Sequence, residues 1–250
     1  MHTYRILYNC MKDKGKLGIG QAAEFLDVSI DTLRRWDKKG KLKAQKTEGG
    51  HRYYSQFDLK LFKEDVVVIG DDWILSSPKE PDKKFYCQTI ADFKGRLSKL
   101  EHDVAKLERI KNIFPLITAI TGEIGNNSFD HNLGNWLDIP GLFFAYDLSK
   151  GVIVLADRGQ GVLRTLRKVR PELKNDKEAL KVAFTEIISS RAPEARGNGL
   201  KFVRAIIKDN PFELNFYSGA AELYIKEGDS VLNVRDIDVY FNGCLVVFKF

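Results

Sequence analysis

Residues 113–133 read as one helix that is apolar almost all round yet carries Glu123, Asn126, Asn127, Asp130 and His131. Such a helix has to be covered by other elements. Its polar groups must then find partners indoors, because an unpaired carboxylate or carboxamide is costly to bury. Two apolar runs follow, 141–147 (GLFFAYD) and 151–157 (GVIVLAD), and read as strands joined by a short turn. Helical patterns come next at about 160–169 and 177–189, then a loop at 190–197, a helix at 198–208, and mostly strand from Glu213 to Phe250. Helices segregated against hairpin-joined strands predict an α+β sandwich rather than βαβ alternation.

The first quarter has a different character. Residues 1–64 hold 14 Lys and Arg against 8 Asp and Glu, and this excess of six equals the +6 of the whole chain. A basic module on a neutral body suggests a polyanion partner, most often nucleic acid, or else a solvated basic face. Within it, Ile19, Ala22, Ala23 and Leu26 make one helical face. Ser29 is placed to cap a second helix over 30–38, with Leu33 and Trp36 on its core side. Thr32, Arg34, Arg35 and Lys38 are left outside. Gly49-Gly50 marks a tight turn, followed by His51, Arg52 and Tyr53. Two short helices and a hairpin wing form a helix-turn-helix pattern, whose second helix normally enters the major groove while the wing reaches phosphate. The string VSIDTLRRWDKKGKL…TEGGHRYYSQFDL closely resembles the MerR-like winged helix-turn-helix family. That resemblance implies double-stranded DNA as partner, with Arg34, Arg35, Arg52 and Tyr53 as the main contacting positions. Metal sensing does not carry over, because Cys87 is the only cysteine in the region after the wing.

Between the two parts, residues 65–88 read as a linker broken by Ser76-Ser77-Pro78 and Pro81. Ile90, Phe93, Leu97, Leu100, Val104 and Leu107 then recur at heptad spacing. The stripe fits either pairing with a second copy or packing on its own domain. The resemblance favours a homodimer on a roughly twofold DNA site. His102 lies at an outward position on this helix and reads as a surface residue. Cys10, Cys87 and Cys244 form no CxxC, so neither a disulfide framework nor a cysteine zinc site is expected. With no membrane-length apolar run and no signal-peptide core, a cytoplasmic protein without a membrane partner is expected.

Three short motifs stand in order in the remaining chain. Glu123-Ile-Gly-Asn-Asn127 places a carboxylate and a carboxamide four residues apart, on one helix face. A nucleotide, Mg²⁺ and an attacking water would give them partners. Asp157-Arg-Gly159-Gln-Gly161 follows a strand, where the Asp can accept from an amino group and the glycines admit close backbone approach. Arg196-Gly197-Asn198-Gly199-Leu200 opens a helix, where amides can face phosphate. The ordered trio resembles the GHKL, or Bergerat-fold, ATP-binding domains of gyrase, MutL, heat-shock chaperone and histidine-kinase type. The resemblance implies, for residues 113–250, an α/β sandwich with a mixed sheet packed on helices, binding ATP with Mg²⁺. Glu123 would activate the nucleophile and Asn127 would bind Mg²⁺. Asp157 with Gly159 and Gly161 would read adenine, and Gly197 with Gly199 would hold phosphates. Asp130 would flank the nucleotide, as would Asn126 and His131. The family often has a hydroxyl residue where this chain has Cys244, which implies a weaker grip.

The expected protein is a DNA-binding regulator of three segments. Residues 1–64 form the winged helix-turn-helix, 65–112 the linker and heptad-like helix, and 113–250 an ATP-binding domain that hydrolyses slowly. The alternative is an ATP-dependent protein kinase resembling the anti-sigma serine kinases, with Glu123 deprotonating a protein hydroxyl and an unknown protein as substrate. A third reading is an ATP sensor that binds without turnover.

Overall fold

The computed structural model describes residues 15–26, 28–38, 42–56, 58–59, 65–186 and 199–250. The chain divides into two compact units, Met1–Asp65 and Val66–Phe250. In the first, β1 (Lys16–Gly18) leads into α1 (Ile19–Leu26), α2 (Ile30–Lys38), β2 (Gln45–Lys46) and β3 (Arg52–Ser55). Ser29 Oγ accepts from the Thr32 N–H at 3.1 Å, so the cap expected for α2 forms. β3 lies between β1 and β2, antiparallel to both. Ala22, Ala23, Leu33, Leu42, Tyr54 and Leu59 make the core, with Trp36 packed against it.

In the second unit, five strands follow the order β4-β5-β6-β8-β7: β4 Tyr86–Cys87, β5 Leu142–Asp147, β6 Val152–Asp157, β7 Glu213–Lys226 and β8 Asn233–Lys249. Sheet packed on helices is the expected α+β arrangement. The pairings are all antiparallel, however, where a mixed sheet was expected. The reason lies in the connection from β6 to β7. That crossover would leave the two strands parallel neighbours, but β8 returns between them and pairs with both.

One sheet face carries α4 (Ile90–Val104), α5 (Phe114–Asn132), α7 (Asp176–Thr185) and α8 (Gly199–Lys208), with α6 (Gly161–Leu166) packed beside β7 and β8. The opposite face carries α3 (Val66–Leu75), part of the stretch expected to be linker. The helix breakers begin at Ser76, and the ten residues before them, VVVIGDDWIL, are apolar enough to seek cover. Val66, Trp73 and Ile74 pack on Phe143, Val152 and Val154. β6 is therefore buried on both faces, as its uninterrupted run VIVLA suits.

The heptad-like stripe turns inward. Phe93, Leu100 and Val104 are all 0% exposed in the core that α4 shares with α5 and the sheet. The Phe93 ring covers Gly125, where a Cβ would stand 2.1 Å from Phe93 Cζ. Three of the six stripe residues are thus fully buried inside their own unit, Leu97 and Leu107 are partly buried against the same core, and Ile90 is 38% exposed. His102 is exposed. Among the described residues, no helix is long and apolar enough to cross a membrane.

Candidate nucleotide site and nucleic-acid interface

α5 supplies one wall of a cavity of about 960 Å³, counting its open mouth. Glu123, Asn127 and His131 recur every four residues along that wall, and Ile124, Ser128 and Asn132 stand beside them. Leu155, Phe216 and Val246 of the sheet are apolar, as are Val162 and Leu166 of α6, Ala183 of α7 and Leu200 of α8. Asp157, Gly161, Thr165, Glu186, Gly199 and Cys244 complete the lining. Asn127 Nδ2 donates to Glu123 Oε1 at 3.3 Å, so the two motif residues meet as expected. The Glu123 carboxylate lies against the first residue of α8: a Cβ on Gly199 would fall 1.6 Å from its Oε1. A side chain at position 199 would displace the carboxylate. Gly197, expected to share the phosphate role, lies outside the described residues.

Asp157 closes β6 and is 2% exposed. Its Oδ2 accepts from Ser128 Oγ at 2.8 Å, and its Oδ1 from Asn132 Nδ2 at 3.2 Å and the Gly159 N–H at 3.0 Å. Burial pushes the carboxyl up to about 6, against the downward pull of those donors and of the Cys244 amide. Ser128 and Asn132 were not singled out in the sequence, although they lie four apart on the helix that bears the first motif. Their spacing was visible; the strand end they meet was not.

The glycines after Asp157 divide their work. Gly159 is not among the residues that line the cavity, and a Cβ there would fall 2.1 Å from Asn132 Cγ. Its lack of a side chain admits the Asn132 amide. Gly161 does line the cavity and has φ of 71°, a left-handed conformation that favours glycine. The next amide, Val162 N–H, donates to Ser218 Oγ at 3.0 Å, and Ser218 Oγ donates to the Gly243 carbonyl at 3.0 Å. Cys244 Sγ is 3.7 Å from the same hydroxyl, and burial pushes its thiol well up. Ser218, 57 positions after Gly161 in the chain, carries no sequence signal for this role. Asp130 and Asn126 do not line the cavity, although both share α5 with the residues that do; His131 does.

Arg158, inside the same motif, faces the other way. It is 3% exposed and bonds Asp138 through Nε and Nη2, at 2.9 and 2.8 Å. Its Nη1 donates to the carbonyls of Trp73, Ile74 and Ser76 at 2.8, 3.0 and 3.1 Å. It therefore satisfies the carbonyls at the end of α3.

In the first unit, Arg34 and Arg35 project from α2 into solvent, and Arg34 pairs with Asp31 at 2.9 Å. Both partners of that pair are well exposed, so little holds Arg34 in place. Arg52 is different: its Nε donates to Asp37 Oδ2 at 2.7 Å, tying β3 to α2. Asp37 also accepts from the Ala44 N–H at 3.1 Å, and the Arg52 bond holds its carboxyl below the usual range. Tyr53 is half-buried, with Lys16 Nζ 4.6 Å from its ring centroid. Among the four expected DNA contacts, two are therefore exposed on α2, and the two on β3 are partly engaged by α2 and β1.

Residues 18–54 match the family model described as MerR family regulatory protein. The first unit thus carries a MerR-type helix-turn-helix. The chain is 35% identical over 68 residues to the type II methyltransferase M.Eco47II of Escherichia coli, a match covering 27% of this chain and 16% of the enzyme. The match therefore spans about a sixth of that protein's length. Among solved structures, the chain is similar to the topoisomerase IV ATP-binding domain of Francisella tularensis in complex with a small-molecule inhibitor. The TM-score is 0.33 and the identity 16%, over 58% of this chain and 40% of that one. A likeness at that level adds nothing to the reading of the cavity, which stands on its own residues.

Proposed function

We propose that this chain is a DNA-binding regulator whose second unit binds ATP with Mg²⁺ and hydrolyses it slowly. The observation that carries the nucleotide reading is the use of α5 as a ruler. At about 1.5 Å rise per residue, Ser128 and Asn132 stand roughly 7 and 13 Å along the helix from Glu123. Asp157, held by both, and Glu123 are thus on the order of 10 Å apart along one apolar cavity. A buried acceptor at one station and an exposed-side carboxylate at the other suit an elongated ligand with a donor at one end and the reacting group at the other.

Asp157 accepts from the amino group of the base in this reading, and the apolar residues of sheet and helices enclose the ring. Glu123 takes the proton of the attacking water on its carboxylate. Asn127 turns its Nδ2 to Glu123, which leaves its carbonyl oxygen on the opposite side of the amide. Among the described residues, no three His, Cys, Asp or Glu gather into a metal cluster. Asn127 fits an ion that keeps waters and phosphate oxygens for most of its shell, as Mg²⁺ does. That ion, when bound, neutralises phosphate charge.

For DNA, Arg34 and Arg35 on α2 serve as the groove-facing pair, and Arg52 with Tyr53 as the wing contact. A homodimer on a roughly twofold site belongs to this reading, through a surface other than the α4 stripe. A cytoplasmic location fits the free thiols of Cys87 and Cys244.

Calorimetry and phosphate release on the whole protein test the nucleotide half. Glu123→Gln is expected to keep ATP binding and lose turnover by about 10²–10⁴-fold. Asp157→Asn should lower affinity for adenine nucleotides, and Asn127→Ala should remove the Mg²⁺ dependence. Wild-type turnover in Glu123→Gln would reject the assignment. Duplex-DNA binding should fall steeply with salt, and Arg35→Ala should weaken it.

A further inference from the structure

Asn132 has no chemistry of its own, yet three hydrogen bonds converge on its amide. Nδ2 donates to Asp157 Oδ1 at 3.2 Å and to the Ser128 carbonyl at 2.9 Å. Oδ1 accepts from the Gln160 N–H at 3.0 Å. Together these fix which way the amide faces. Turned over, its oxygen would meet a carboxylate and a carbonyl, and its NH₂ would meet an N–H. The main chain at 128 and 160 therefore holds an N–H donor against Asp157.

The neighbours of Asp157 are consistent with this. Ser128 Oγ and the Gly159 N–H are also donors to it, at 2.8 and 3.0 Å. Donors alone around a carboxylate favour the anion, an acceptor-only group. Among the described residues, no Lys or Arg lines the cavity. Arg158 turns to Asp138 on the other side. The remaining titratable groups of the lining are Glu123 and His131 on α5, Glu186 after α7, and Cys244 on β8. The anion is thus held by neutral dipoles, and Asn132 is the one whose orientation the backbone dictates on both sides.

Resting on the nucleotide reading above, we propose that Asn132 is a specificity-determining positioning residue. By keeping Asp157 an acceptor only, it makes the cavity select a 6-amino purine over a 6-oxo purine. An amino group donates to the anion, whereas a 6-oxo lone pair is repelled by it. Gly159 is part of the same device, because only glycine leaves space for the Asn132 amide.

The test compares ATP with ITP, which differ at position 6 of the base and in the N1 proton. Affinities are measured by calorimetry with Mg²⁺ from pH 5.5 to 8.5, on the full chain. Wild type is expected to prefer ATP by about tenfold or more above pH 7. Asn132→Asp places a second carboxyl beside Asp157, and such a pair shares a proton that can be donated to the 6-oxo group. The preference should fall below about threefold at low pH and return partly as the pair ionises. Asn132→Ala removes one donor without adding charge. Its preference should decline at a higher pH than in wild type, and this variant decides the matter if Asn132→Asp does not fold. If both nucleotides weaken by one factor, with the ratio and its pH profile unchanged, Asn132 is merely structural and the inference is overturned. If wild type binds neither nucleotide, the ATP reading itself fails, and this inference with it.

Discussion

At Asp157, burial and hydrogen bonding oppose one another, and burial wins by enough to matter at accessible pH. Its carboxyl sits at about 6, above the usual carboxylate value of 3.8. A raised folded-state value means that the folded chain holds this proton where the unfolded chain has lost it. The ionised group therefore costs stability above pH 6, and the cost is relieved as pH falls from about 6 toward 4. A donor from a ligand reverses the preference, since it binds the anion. ATP affinity is therefore expected to drop as pH falls through about 6, which calorimetry at several pH values checks. Gly199→Ala makes a second prediction at this scale. Its Cβ would overlap Glu123 Oε1, the flexible end of a side chain, so the fold survives while the carboxylate moves. Turnover should fall toward that of Glu123→Gln with little change in melting temperature. Gly159→Ala is the contrast: the new methyl meets the hydrogen-bonded Asn132 amide and should cost about 1–3 kcal/mol of stability by overpacking, read from denaturant unfolding.

Two neighbouring residues of one motif serve opposite faces of the sheet. Asp157 faces α5, and Arg158 reaches the C-terminal carbonyls of α3. The reason α3 stays on the sheet is partly apolar burial of Val66, Trp73 and Ile74, and partly this arginine. Gly70 lets the helix approach closely, since a Cβ there would stand 2.7 Å from Val154 Cγ1. Arg158→Met would remove the cation paired with Asp138 and a donor to the carbonyls of Trp73, Ile74 and Ser76, of which Trp73 keeps the Ser76 hydroxyl. Breaking a buried pair from one side typically costs about 3–5 kcal/mol. The whole second unit should lose that much in chemical denaturation, with hydrogen exchange at residues 70–75 accelerating first. The element α4 gives the complementary case. Leu100→Ala leaves a cavity in a shared core and should cost about 2–5 kcal/mol.

For the whole molecule, the charge excess and the MerR-type match fall within the first unit, and the cavity within the second. The assembly prediction follows from where the stripe went. If a homodimer forms, Leu100→Ala should lower the melting temperature without shifting the mass seen in sedimentation at concentrations where the protein stays folded. A monomer produced by that change alone would place the seam on α4 after all.

The helix-turn-helix was legible because its information is local. The Ser29 cap, the apolar face of α1 and the Gly49-Gly50 turn each act within a few residues. The Glu123–Asn127 pair was legible for the same reason, as helical spacing puts i and i+4 together. Strand order was not local. Nothing in residues 213–250 announces that β8 returns between β6 and β7, and that return makes the sheet antiparallel. Periodicity marked the α4 stripe as apolar but could not say which surface it faces, because an intramolecular core and a dimer seam ask for the same residues. The partners of Asp157 come from α5 at 128 and 132, and the support of Gly161 comes from β7 at 218. Those contacts join positions 25 to 56 residues apart. Sequence alone determined which chemical groups were present and which local elements would carry them. Only the tertiary packing decided which groups face the cavity, because hydrogen-bond donors have directions that long-range strand and helix placement sets.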